Sequence, residues 1–153
     1  MLFFDSSALV KTYLREEGTE AALAKFRSGQ RIMVSQITFA ECLSAFARKL
    51  KIGELTSNHF QEACDLFKRD WMSFIERIEV DSKTMTYVPE LVMELHAADA
   101  IQLSSAIWLN DACLLTPQRL GGDNVLEFIV ADEKLATSAR QRRLKVFNPV
   151  TRL

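Results

Sequence analysis

Two short apolar runs in this chain end in the same way. Leu2-Phe3-Phe4 stops at Asp5, and Phe128-Ile129-Val130-Ala131 stops at Asp132; each aspartate then opens a stretch with helical patterning. A short apolar run that leads into a helix start reads as a buried strand. In open α/β sheets, ligands bind beyond the carboxyl ends of the strands, which is where both aspartates would stand. Asp is also a preferred helix N-cap, and for either residue alone that plainer reading stays open.

The rest of the chain fits the same alternation. Helical patterns are expected over Ala8–Glu17, Thr19–Ser28, Gln36–Lys51, Thr56–Arg77, Ser82–Leu95, Ala97–Asn110 and Glu133–Arg143, with Gly18, Gly29 and Gly53 as stops. Arg31–Val34, Ile78–Val80 and Val146–Phe147 read as further strands, and Pro117, Gly121 and Gly122 mark a loop. Strands alternating with helices imply an α/β fold with a central, mainly parallel sheet flanked by helices. With 153 residues and no repeat or linker, a single domain over 1–153 is expected.

Composition narrows the function. Net charge is −1, so no global basic field announces a nucleic-acid partner, and any contact with one must come from local patches or a bound cation. Cys42, Cys64 and Cys113 are odd in number, lack metal-ligand spacing and sit among apolar residues; buried free thiols and a reducing compartment follow. His59 and His96 lie in no Cys/His cluster, which argues against a structural zinc site. The start of the chain lacks the features of a signal peptide, and no run is long enough to span a membrane, so a cytoplasmic location is expected.

Two further acids stand out. Asp99 lies in Ala97–Leu109, a segment apolar nearly all round, and shares a helix face with Leu95, Leu103 and Ala106. A carboxylate there is expected to be buried, so it must protonate, find a cation or pair with a basic side chain. Glu41 lies roughly opposite the Phe39, Leu43, Phe46 and Leu50 stripe, and periodicity alone reads it as solvated. Ile37, one turn earlier on the same face, would be poorly placed in water.

In order along the chain, four segments resemble the acidic motifs of PIN domains. They are Phe3-Phe4-Asp5-Ser6-Ser7-Ala8-Leu9, Thr38-Phe39-Ala40-Glu41, Ala98-Asp99-Ala100-Ile101-Gln102-Leu103-Ser104 and Phe128-Ile129-Val130-Ala131-Asp132. The third resembles the D-A-I/L-H/Q-L-A pattern, and Leu144–Pro149 resembles the closing strand. His96 takes the place where family members often carry a basic residue before the third acid. The resemblance implies a PIN-like fold and a metal-dependent endoribonuclease, the toxin half of a VapBC-like toxin–antitoxin pair.

It also implies the site. Asp5, Glu41, Asp99 and Asp132 would be the catalytic acids, with Asp5 and Asp99 as the main ligands of Mg²⁺ (or Mn²⁺). Glu41 would position a water or a second ion, and Asp132 would complete the shell. Carboxylates crowded beside a phosphodiester need such a hard cation to offset their repulsion. RNA would be the substrate, a cognate antitoxin the protein partner, and a homodimer the assembly. Lys11, Arg15, Lys134, Arg140, Arg142 and Arg143 are the candidate RNA contacts. Two other readings remain open at this point: a non-catalytic PIN-like interaction domain, and a Mg²⁺-dependent phosphohydrolase acting on DNA or a small phosphoester.

Overall fold

A computed structural model describes residues 1–115 and 126–150. Its elements are β1 (Leu2–Phe4), α1 (Ser6–Leu9), a 3-10 turn (Val10–Thr12), α2 (Thr19–Phe26), β2 (Ile32–Ser35), α3 (Thr38–Lys51) and α4 (Ser57–Ser73), followed by β3 (Ile75–Ile78), α5 (Val88–Leu91), α6 (Ala97–Leu115), β4 (Glu127–Ile129), α7 (Glu133–Gln141) and β5 (Lys145–Phe147). The five strands form one sheet in the order β3-β2-β1-β4-β5, and every pairing is parallel. The expected α/β class therefore holds. The expected loop at Pro117, Gly121 and Gly122 lies outside the described residues.

Successive strand residues point to opposite faces, and both faces are covered. Phe3, Met33, Phe128 and Val130 pack with Leu103, Ala106 and Ile107 of α6 and with Leu135 and Ala139 of α7. Leu2, Phe4, Ile32, Val34 and Ile129 pack with Cys42 and Phe46 of α3 and with Cys64, Phe67 and Trp71 of α4. Burial on two sides is why the strands read as unbroken apolar runs rather than alternating ones. All three cysteines are free and buried, as expected.

Three elements depart from the sequence reading. The first helix spans Ser6–Leu9 and gives way to a 3-10 turn, where a helix over Ala8–Glu17 was expected. Thr12 Oγ1 donates to the Leu9 carbonyl at 2.8 Å and Thr19 Oγ1 to the Leu14 carbonyl at 3.0 Å, so hydroxyls take carbonyls that a longer helix would use. Helix α4 stops at Ser73 rather than Arg77, because Ile75–Ile78 join the free edge of β2 as β3, with Arg31 clasping Glu76 across the pair at 2.6–2.8 Å. Before α6, the segment expected to be helical from Ser82 is instead a turn, with Lys83 and Thr84 amides on Asp81 Oδ1 at 2.9 Å, and only Val88–Leu91 is α-helical.

The strand order has one functional consequence. The chain builds outward from β1 through β2 to β3, then returns to place β4 on the other side of β1. Where a parallel sheet reverses direction in this way, the crossover segments diverge and leave a crevice beyond the strand ends. Here that crevice lies beyond the carboxyl ends of β1 and β4.

Candidate active site

Asp5 ends β1 and caps α1. Its Oδ2 accepts from the Ser7 amide at 2.8 Å and from the Ser7 hydroxyl. The side chain is 1% exposed, yet Oδ1 has no hydrogen-bond partner. Ser7 Oγ in turn accepts from the Ala131 amide at 3.0 Å and the Asp132 amide at 3.3 Å, which ties the end of β4 to the end of β1. Asp132 is exposed and caps α7, its Oδ1 accepting from Leu135 N at 2.8 Å. The capping reading is thus correct for both aspartates. It does not compete with a second role, because each caps its helix through one oxygen.

The other two acids arrive from helix starts. Glu41 and Asp99 lie in the first turns of α3 and α6, where the helix dipole favours negative charge. Asp99 is half-buried rather than fully enclosed. Glu41 is half-buried and not the solvated residue that periodicity alone suggests. The buried face of α3 centres on Thr38, Cys42 and Phe46, rotated toward Glu41 from the Phe39 stripe.

Gln102, on α6, is fully buried beneath these groups. Its Nε2 donates to Glu41 Oε2 and to Ser6 Oγ at 3.0 Å, and its Oε1 accepts from Thr38 Oγ1 at 3.2 Å and from the Ser6 amide at 3.3 Å. Sequence reasoning assigned Gln102 and Thr38 no role. The signal was present: an amide among apolar residues, three positions after Asp99, has to find partners inside the fold.

The electrostatics show that the acids share one neighbourhood. Burial pushes Asp5 up to about 6, against the Ser7 hydrogen bonds and with added repulsion from Asp99. Burial, then repulsion from Asp5 and Asp99, takes Glu41 up to about 7. Asp99 is also raised, by burial and by Asp132, while His96 and Lys134 pull it down. An unpartnered buried carboxylate oxygen among acids that resist ionising together fits a hard cation.

Among the described residues no three Asp, Glu, His or Cys side chains form a preassembled metal cluster. Two carboxylates and several retained waters are a set that Mg²⁺ accepts.

Beside the acids runs a groove of about 820 Å³, lined by Ser6, Ser7, Glu41 and Asp132 at one end and by Arg48, Lys49 and Ile52 further along α3. Several of the expected RNA contacts are engaged elsewhere. Lys11 pairs with Glu16 at 2.9 Å, Arg140 with Glu133 at 2.8 Å, and Arg142 with Glu94 at 2.7 Å and Glu90 at 3.0 Å. Arg15, Lys134 and Arg143 are exposed.

The PIN-domain family model matches residues 2–117. The chain belongs to the PIN-domain family. The matched span of this PIN domain contains Asp5, Glu41 and Asp99, and Asp132 lies beyond it.

Two curated relatives are ribonuclease VapC45 and ribonuclease VapC49 of Mycobacterium tuberculosis. Each is 27% identical over 120 residues, covering 75% of this chain and 81% of the relative. Solved structures share the fold. VapBC2 from Rickettsia felis, bound to a DNA fragment from their promoter, superposes with a TM-score of 0.61 at 18% identity, covering 97% of this chain and 98% of that one. FitAcB from Neisseria gonorrhoeae gives the same values. No helix among the described residues is long and apolar enough to cross a membrane.

Proposed function

We propose that this PIN domain is a metal-dependent endoribonuclease that hydrolyses RNA phosphodiesters as the toxin of a toxin–antitoxin pair. The observation that carries the reading is Asp5: a fully buried carboxylate with one unpartnered oxygen, at the sheet's switch point, among three further acids. The VapC ribonucleases it resembles support the substrate class.

Asp5 and Asp99 would hold Mg²⁺ or Mn²⁺, with Asp132 completing the shell directly or through water. The cation supplies a Lewis acid that acidifies water and offsets phosphate charge. Ser7 locks the Asp5 carboxylate through Oδ2 and leaves Oδ1 for the ligand. Glu41, held by Gln102 and facing the groove, orients the attacking water. Water is the nucleophile, and no covalent intermediate is required.

An acidic site with little positive charge of its own suits inhibition by a basic side chain of an antitoxin. The VapBC and FitAB structures of the same fold support such a partner. A cytoplasmic homodimer completes the proposal, and a monomeric mass in solution would remove that last part.

The test is cleavage of RNA by the purified protein with Mg²⁺ or Mn²⁺, with EDTA, and with Asp5→Asn or Asp99→Asn. Metal-dependent cleavage, lost in both variants while the fold persists, supports the assignment. Full activity in either variant sinks it. Hydrolysis of DNA or small phosphoesters instead of RNA would redirect the substrate class.

A further inference from the structure

The groove continues well past the acids, and one face of α3 lines it. Glu41, Ser44, Arg48 and Ile52 follow one another along that wall, at the three-to-four-residue spacing that keeps side chains on one side of a helix. They present in turn a carboxylate, a hydroxyl, a guanidinium and an apolar side chain. Seven residues of helix place Arg48 about 10 Å along the axis from Glu41.

The cations of this groove differ in availability. Lys11 is bound to Glu16, and Lys49 is shared between Glu16 at 3.0 Å and Glu54 at 2.9 Å. Arg48 is exposed and makes no ion pair among the described residues. Ile52 beyond it is 63% exposed. A guanidinium free of carboxylates binds phosphate through paired N–H donors, and an apolar side chain next to it offers a surface for a base.

We propose that Ser44, Arg48 and Ile52 form a subsite for a nucleotide flanking the cleaved bond, with Arg48 on its phosphate and Ile52 against its base. The inference rests on the ribonuclease reading and extends it to how the substrate strand lies: along α3, away from the acids. It also explains how a chain of net charge −1 holds RNA. Among the described residues that line the groove, Arg48 is the cation left free of carboxylates, while the lysines beside it brace the groove wall.

The test measures binding of a mixed-sequence single-stranded RNA pool to the Asp99→Asn chain over a range of salt, with and without Arg48→Ala. The subsite predicts about tenfold weaker binding on loss of one charged hydrogen-bonding group. It also predicts a salt slope smaller by about 0.7, the value for one phosphate contact on a single strand. Arg48→Lys restores the slope and only part of the affinity. In the active chain acting on total cellular RNA, Arg48→Ala raises KM more than it lowers kcat. Unchanged affinity and slope in Arg48→Ala, in a chain that cleaves RNA, overturn the subsite and leave the ribonuclease reading intact. Absence of metal-dependent cleavage by the unmodified chain overturns both.

Discussion

Gln102 on α6 donates its side-chain amide to Glu41 on α3, so the helix that carries one acid of the site also holds another in place. The same amide group reaches Ser6 beside Asp5 and Thr38 at the start of α3. One buried side chain thereby sets the spacing among three of the four acids.

Replacing Gln102 should therefore slow the reaction more than it weakens substrate binding. Gln102→Ala is expected to lower kcat by about 10- to 100-fold, the usual scale for residues that orient a ligand or catalytic group, with KM little changed. Gln102→His, the alternative in the family pattern, should restore most of the rate. Steady-state kinetics on one RNA substrate decides this; equal rates for the alanine variant and the parent would show that Glu41 needs no such support.

The raised carboxyls should make the metal-free fold lose stability as pH rises toward neutral. Asp5 titrates at about 6 in the fold, against 3.8 for an unperturbed group. It holds its proton more tightly folded than unfolded, so stability falls as pH rises from about 4 through about 6, by about 3 kcal/mol at most. Glu41, raised to about 7, acts in the same direction. In EDTA the melting temperature should drop between about pH 4 and about pH 7, Asp5→Asn should melt higher than the parent at the upper end, and Mg²⁺ should recover the parent by binding the folded state. A flat melting profile in EDTA would contradict the burial of Asp5 as an uncompensated acid.

Gly18 is a conformational requirement. Its φ is +85°, and a Cβ there would stand 2.9 Å from the carbonyl oxygen of Pro149. Gly18→Ala should cost about 2 kcal/mol or more through a strained left-handed backbone and the displaced closing segment, lowering the melting temperature by roughly 4–8 °C for a chain of this size. No change in melting would mean that the contact with Pro149 is dispensable.

Phe67 joins the two helices that pack on the groove side of the sheet. It is fully buried and contacts Tyr13, Phe39, Phe46 and Trp71, with ring centroids 5.3–6.0 Å apart. Phe67→Ala should destabilise the fold by about 3–5 kcal/mol, measured by denaturant unfolding. A loss under 1 kcal/mol would mean that α3 and α4 repack around the gap.

The strand-end aspartates, the unbroken apolar runs and the order of the four acidic motifs were legible along the chain, because each is a local pattern. A strand buried on both faces must be apolar throughout, and an acid that caps a helix must stand at its start. What local pattern could not supply was relative placement. The Phe39 stripe located an apolar face on α3, but only the packing of α3 against α1 and α4 rotated Glu41 into the site. Gln102 showed an amide in need of partners, yet which partners depended on where α6 crosses the sheet.

Helix α4 ended at Ser73 because the open edge of β2 took Ile75–Ile78 into the sheet. That competition is between ladder hydrogen bonds and one more helical turn, and no pattern within the segment records it. The sequence determined which residues must be buried and which acids must neighbour a strand or helix end. The strand order decided that four such ends meet beside one crevice, because a parallel sheet that reverses its direction of growth leaves the space beyond the carboxyl ends of β1 and β4 uncovered.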